Sequence, residues 1–385
     1  MIMKKLFLAS GFLFNAIFLF AQTQTATALQ APQFFDVKTF KATPVKNQGV
    51  TGTCWCFATT SLVESEAIRK DKQEIELSEM FTVRNIYIDK AKNYILRGGK
   101  AQFGEGGLGH DEINAVANYG AIPLGEYPGL LNGQKGYNHK RLFEQLQGYL
   151  DSILKKQPIA NNWLSGYTKI LDDNLGAPPA EFSFNGKKYS PLSFAKEVLH
   201  FKVDDYVSLT SFTHQSYYQP FILQVPDNFA NGSFYNLPLN EMLQVVKDVV
   251  DKGYTVAWDA DVSNTGFDSN TGLALNLDNS AAYSKSQKSD NHINPDTKEL
   301  SYDATLRQQL YENLTTQDDH LMHITGIEKS KQGKTFFVVK NSWGKIGPFE
   351  GYINASEAYV AINTISIVVP KAALSTELLV KLNLK

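Results

Sequence analysis

Gln48-Gly49-Val50-Thr51-Gly52-Thr53-Cys54-Trp55-Cys56-Phe57-Ala58 reads as a glycine-containing loop that becomes a helix at about Cys54. Trp55, Ala58 and Leu62, with Phe57, Ser61 and Ile68, then follow helical spacing through residue 70. A helix N-terminus carries partial positive charge and free N–H groups, which favour a thiolate. Cys54 stands at that end. Cys56 points about 200° around the helix from it, so only one of the two thiols faces a given cleft. Cys56 reads as a small buried apolar residue. Cys54 is the candidate nucleophile, although these residues alone allow the same buried role for it. Gln48 lies six residues before the thiol. Its side-chain amide, paired with the Cys54 N–H, would form an oxyanion hole.

A thiol nucleophile needs a base, and histidine is the natural one near neutral pH. Two of the seven histidines are close together, in Asp319-His320-Leu321-Met322-His323-Ile324-Thr325-Gly326-Ile327. In a strand the side chains alternate, so His320, Met322 and Ile324 share one face and His323 and Thr325 the other. Only one of the pair meets Cys54. An i, i+3 histidine pair also suits a metal, but no third ligand cluster or HExxH pattern accompanies it, so no metal and no cofactor is expected. Further on stands Lys340-Asn341-Ser342-Trp343-Gly344. An Asn oxygen accepting from an imidazole holds the ring in a useful orientation. A Trp beside it shields that bond from water. Taken alone, Asn-Ser is ordinary turn chemistry.

Around these segments the pattern is helices first and strands last, which favours an α+β protein of two lobes. Helices are expected at 78–94, capped by Ser78, and at 111–119, ended by Gly120. Others fall at 142–155, 192–200 and 239–252. Strands are expected at 206–213, 221–225, 254–262, 320–329 and 335–340, with more β structure over 352–367 and a terminal helix over 374–384. Residues 263–303 are rich in Asn, Asp and Ser and read as a surface loop or flap. The expected organisation is a leader at 1–21 and one large domain at 22–385. Within that domain lie a helical lobe at about 44–130, an insertion at about 131–250, a β lobe with the flap at about 251–370 and a C-terminal segment at 371–385.

The 385 residues, 43% hydrophobic, suffice for two lobes sharing a cleft, and the net charge of −2 with no basic cluster argues against nucleic acid as a partner. Lys4 and Lys5, the short apolar run 6–20 and a small residue at Ala21 read as an export signal. That makes the chain periplasmic or extracellular, with no stable membrane insertion after cleavage. The two cysteines are too close for a comfortable bridge, so both are expected as free thiols.

Pro44-Val45-Lys46-Asn47-Gln48-Gly49, followed by Gly52-x-Cys54-Trp55-x-Phe57-Ala58, resembles the active-site segment of papain-like cysteine peptidases. So does Asn341-Ser342-Trp343-Gly344. The resemblance implies a two-lobe fold with a helical lobe and a β-barrel-like lobe. It implies catalysis by Cys54, His320 and Asn341 with Gln48 at the oxyanion. It selects His320 over His323 by a glycine six positions later, Gly326. It also places Gly106 and Gly107, within Gly104-Glu105-Gly106-Gly107, beside the substrate main chain, and Trp343 over the His–Asn pair; composition alone makes 104–107 an ordinary loop. A second Trp often seen near Gly347 is missing, which suggests a thinner aromatic wall. Thr51, where secreted relatives carry a disulfide cysteine, and residues 205–209 and 253–262 resemble the bleomycin hydrolase and aminopeptidase C branch. Members of that branch are homohexamers that remove N-terminal residues, and their C-terminal arm captures the substrate amine. Here that arm reads as shortened. The expectation is an aminopeptidase-like cysteine peptidase acting on peptides or proteins, with a homo-oligomer as one state. Alternatives are endopeptidase action, acyl or peptidyl transfer at the same site, or an inactive exported binding protein.

Overall fold

The computed structural model describes residues 31–384 apart from 132, 157 and 279–292. The expected leader lies outside the described residues, as does the middle of the expected flap.

A short strand, β1 (Phe35–Thr39), leads into a glycine-containing loop and α1 (Cys54–Asp71). Every residue of α1 from Cys54 to Ile68 is buried. A helix covered on all sides belongs inside the molecule, and α1 runs between the two lobes. Next come α2 (Glu79–Leu96) and α3 (Gly109–Tyr119). Ser78 caps α2 as expected, its Oγ accepting from the Phe81 N–H at 3.1 Å. Then follow α4 (Lys140–Leu154), α5 (Trp163–Leu175), the hairpin β2 (Phe182–Phe184) and β3 (Lys187–Tyr189), and α6 (Pro191–Glu197). Leu142, Leu146 and Leu150 of α4 and Tyr167 and Leu171 of α5 join Trp55, Leu62, Met80 and Tyr87 in one core. The first part of the expected insertion is therefore built into the helical lobe.

The rest of that region enters the sheet. β4 (Tyr206–Thr210), β5 (Pro220–Ile222) and β6 (Ser233–Asn236) precede α7 (Leu239–Asp251) and β7 (Val256–Ala260). After β8 (Phe267–Asp268), β9 (Leu273–Ala274) and α8 (Ala304–Glu312) come β10 (His320–Lys329), β11 (Thr335–Lys340) and β12 (Tyr352–Ser356). The chain continues through α9 (Glu357–Asn363), β13 (Thr364–Pro370) and α10 (Thr376–Lys381). The sheet runs β5-β6-β4-β13-β7-β10-β11-β12-β9-β8, with β1 also paired to β10. Its edges β5 and β8 do not meet, so among the described residues the β lobe is an open mixed sheet, not the expected barrel. One face carries a second core with Val246 and Val250 of α7, Tyr359 of α9 and Leu378 of α10. The α+β, two-lobe expectation holds.

Two local expectations change. Residues 352–367 do not form continuous β structure: Ser356 Oγ accepts from the Tyr359 N–H at 3.0 Å and starts α9, whose buried apolar run resembles a buried strand. The expected flap contributes Leu273, Leu275 and Leu277 to a third cluster around Phe336. Gly326, at a register shift in β10, lets β1 approach: a Cβ there would lie 2.6 Å from the Lys38 carbonyl oxygen.

α1 and α3 are joined by a buried polar cluster. Glu112 Oε2 accepts from the Cys56 thiol at 3.1 Å, and Oε1 accepts from Thr60 at 3.0 Å. Burial pushes the Glu112 carboxyl up to about 8. The folded protein thus keeps a proton that the unfolded chain releases above the ordinary glutamate range, and stability is lost as pH rises toward 8. Glu112→Gln removes that term. Its stability relative to the parent is expected to improve by about 1.4 kcal/mol per pH unit between roughly pH 5.5 and 7. Denaturant midpoints measured across that range check it, and a constant difference would refute it.

Candidate active site

The loop 44–53 is fixed before α1 begins. Lys46 Nζ donates to Glu79 Oε1 at 2.7 Å, Glu64 Oε1 at 3.1 Å and the Leu77 carbonyl at 3.1 Å. Burial opposes its charge, but Glu79 and Glu64 hold the ammonium above the ordinary lysine range. Two residues on, the Gln48 N–H donates to the Ser342 carbonyl at 2.8 Å. The Gln48 side chain is buried and oriented at both ends. Its Oε1 accepts from Ser342 Oγ at 2.6 Å, and Nε2 donates to the Thr51 carbonyl at 2.7 Å. An amide nitrogen has two hydrogens, so the second remains for another acceptor. The loop is also tied to the glycine-rich segment. Gly52 N–H donates to Glu105 Oε2 at 2.8 Å and Trp55 Nε1 to the Glu105 carbonyl at 3.1 Å.

Cys54 is the first residue of α1, and no acidic side chain lies in that first turn. The main chain of Leu321, the residue after His320, acts to lower the pKa of its thiol. Burial, first, and the carboxyls of Asp318, Asp259 and Asp227 push the thiol up to about 12. The helix terminus acts in the opposite direction.

His320 begins β10. Its Nε2 meets Asn341 Oδ1 at 2.7 Å, and the same oxygen accepts from the Ser342 N–H at 2.7 Å. With Nε2 committed to Asn341, Nδ1 is the nitrogen left for other work. No hydrogen bond joins Cys54 Sγ to His320 in this resting arrangement. The imidazole stacks on Trp343, with ring centroids 4.5 Å apart. Burial lowers the His320 pKa to about 4 while the Asn341 bond opposes that, so the ring is neutral at pH 7. Thiol and imidazole are thus each favoured in the uncharged form.

His323 lies elsewhere. Its Nδ1 is 2.9 Å from Ser61 Oγ on α1. Ser61 also accepts from Lys340 Nζ at 2.8 Å, so its own hydrogen points to His323. Burial and then the Lys340 charge hold His323 well below the usual histidine range. Cys56 likewise points away from Cys54, to Glu112 and to the Glu79 carbonyl at 3.3 Å. Gly107 is buried against the Trp55 ring, while Gly106 is half-buried and faces Asp227. A cleft of about 810 Å³ opens beside this constellation, lined by Gln48, Gly49, Gly52, Glu105, Phe143 and Trp343.

Two contributors escape the sequence reading. Phe267, from the expected flap, packs edge-on against Trp343 at 5.8 Å and supplies the aromatic backing that the missing second Trp leaves open. Ser342 orients Gln48 and stands inside the Asn-Ser-Trp-Gly motif, which is the available signal. No group of three or more His, Cys, Asp or Glu side chains suited to a metal occurs among the described residues.

Comparison with known proteins follows the same division of the chain. Residues 105–385 match the family model "Peptidase C1-like family" and residues 31–87 the model "Papain family cysteine protease". Aminopeptidase C of Streptococcus thermophilus is 25% identical over 378 residues, covering 86% of this chain and 81% of that protein. Aminopeptidase W of Lactobacillus delbrueckii subsp. lactis is 23% identical over 385 residues, covering 87% and 82%. Among solved structures, pepw from Lactobacillus rhamnosis superposes with a TM-score of 0.72 at 19% identity, covering 91% of this chain and 84% of that chain, which establishes likeness of fold.

Proposed function

The chain belongs to the Peptidase C1-like family and is a cysteine peptidase, and from that premise we propose that it removes N-terminal residues from peptides through Cys54, His320, Asn341 and Gln48. The observation that carries the assignment is the 2.7 Å bond between His320 Nε2 and Asn341 Oδ1, which leaves Nδ1 free, while the main chain of the next residue, Leu321, acts on the Cys54 thiol. In the proposed sequence, Nδ1 takes the Cys54 proton as sulfur attacks the scissile carbonyl. The oxyanion receives the free Gln48 Nε2 hydrogen and the Cys54 N–H. His320 then protonates the leaving amine, and water, activated by the same imidazole, hydrolyses the acyl-enzyme. Trp343 and Phe267 keep water from the His320–Asn341 bond. Gly106 and Gly107 flank the substrate main chain, and the cleft beside Gln48 and Trp343 takes the peptide beyond the scissile bond. Export by residues 1–21 belongs to the same proposal.

The aminopeptidase part draws support from relatives of that name along most of the chain. Its test compares a peptide bearing a free N-terminus with its N-acetylated twin. The expected result is cleavage of the free peptide at least 100-fold faster by kcat/KM, since on the order of 3 kcal/mol attaches to loss of a buried charge contact. Equal cleavage of both would reduce the enzyme to an endopeptidase.

A further inference from the structure

We propose that Asp227, Asp259 and Asp318 form a subsite beside Cys54 that receives the α-ammonium group of the substrate, and that the loop carrying Asp227 closes the cleft upstream of it. This rests on the aminopeptidase reading and gives it a structural cause within residues 223–318.

The strand register places the first carboxyl. Asp259 of β7 lies opposite Leu321 of β10, whose main chain acts to lower the Cys54 pKa. On its other side it faces Ser366 of β13, whose hydroxyl donates to Asp259 Oδ2 at 3.1 Å. The neighbouring same-face residues Ala257 and Val368 belong to the helical-lobe core, so this face of the sheet looks toward α1. Asp259 is 1% exposed, yet its Oδ1 has no donor. Asp318 Oδ2 also has none, and the two carboxyls face one another. Asp259 is buried and Asp318 half-buried, and two carboxyls facing one another require a shared proton or a cation between them. Burial raises both: Asp259, where the charges of Asp318 and Asp227 add to it, and Asp318, to about 7, where Asp227 adds and the Asp259 hydrogen bond opposes.

The third carboxyl comes from the connection between β5 and β6. Asn228 fixes that loop, donating to the Leu223 and Gly232 carbonyls at 2.9 and 3.0 Å and accepting from the Gly232 N–H at 2.7 Å. Tyr311 pins it again through the Gln224 carbonyl at 2.7 Å. The result presses Asp227 onto Gly106, where a Cβ would lie 1.7 Å from Oδ2. Only glycine accommodates that approach. Its one donor is Gln102 Nε2, at 3.1 Å. A substrate extending further upstream along Gly106 would collide with this carboxylate, whereas one ending in an ammonium would be held by it.

The local cation is already occupied. Lys90 Nζ donates to the Gly104 and Gly106 carbonyls and lies 5.0 Å from the Phe229 ring. The other acids nearby are held by main-chain donors: Asp111 by the Leu108 N–H at 2.8 Å, Glu105 by the Gly52 N–H at 2.8 Å and Asp319 by the Val262 N–H at 3.2 Å. Lys90 offsets part of the charge of Asp227 and Asp318 without a hydrogen bond to either, and all three carboxyls still disfavour the Cys54 thiolate. An arriving ammonium removes that penalty, so the thiol is activated most when the right substrate is bound.

A lysine side chain one residue upstream of the scissile bond carries the same chemistry, and the test separates the two sources. The full-length protein and its Asp227→Asn, Asp227→Ala and Asp318→Asn variants are assayed on leucyl-, acetyl-leucyl-, acetyl-lysyl-leucyl- and acetyl-leucyl-leucyl-aminocoumarin. Labelling of Cys54 by an epoxide thiol inhibitor counts intact sites in each. The expected result is a fall of at least tenfold in the leucyl to acetyl-leucyl ratio of kcat/KM in the Asp227 variants, with labelling preserved. A parent that strongly prefers the free amine, with that ratio unchanged in all labelled variants, would overturn this inference and leave the aminopeptidase reading intact. A parent that cleaves leucyl and acetyl-leucyl alike would overturn that reading itself. A parent that prefers acetyl-lysyl-leucyl to acetyl-leucyl-leucyl, a preference lost on Asp227→Asn, would overturn the α-ammonium assignment.

Discussion

Cys54→Ala is expected to lower kcat by on the order of 10⁶-fold, as loss of a nucleophile does where several groups act as one unit. Without sulfur, His320 has no proton to accept and the oxyanion donors have no covalent intermediate to hold. Burial does not weaken this expectation, although the thiol lies high in its resting state. Cys54 is at the helix end, against the Leu321 main chain, and sulfur needs to become thiolate only as its proton reaches His320. Cys56→Ala is the matched control. Its sulfur is fully buried and committed to Glu112 and the Glu79 carbonyl. It should cost about 1–2 kcal/mol of stability, from a lost polar contact and a small cavity, with kcat per folded molecule nearly unchanged. Steady-state kinetics normalised to inhibitor-titrated sites for the Cys56 variant, and to folded protein by circular dichroism for the Cys54 variant, check both. Residual turnover above a hundredth in Cys54→Ala would exclude the proposed nucleophile.

Gln48→Ala should reduce kcat by about 10²- to 10³-fold and leave KM within a few-fold of the parent, because an oxyanion donor acts where charge develops and not on the ground-state carbonyl. The side chain is poised for this. Ser342 and Thr51 hold both ends of the amide and leave one hydrogen uncommitted. Ser342→Ala, which loosens the amide without removing it, should give the same signature at reduced size. A matching rise in KM with unchanged kcat for Gln48→Ala would instead make this amide a ground-state binding contact.

Several elements are legible in short stretches of chain. β10 and β11 have the bounds expected of them, because a short, largely apolar run rich in β-branched and aromatic residues between polar ends describes a buried strand locally. Ser78 and Gly120 end their helices for reasons contained within four residues of chain. Other elements leave no such signal. The hairpin β2–β3 and the strand β6 are three or four residues long, below the length at which periodicity speaks. α5 is hidden because its buried residues, Tyr167, Leu171 and Leu175, make a narrow stripe in a polar run. α9 reads as strand because a helix buried on every side has no polar face.

By itself the sequence determined which segments carry chemistry. A thiol at a loop-to-helix transition, an amide six residues before it, and His and Asn separated by a hairpin are each properties of short stretches. Only the tertiary structure decided what surrounds them. Phe267 reaches Trp343 across 76 residues, and Asp227, Asp259 and Asp318 gather near one thiol from separate connections and strands. Those positions follow from sheet register and loop packing, which depend on contacts summed over the whole core and leave no trace in local spacing.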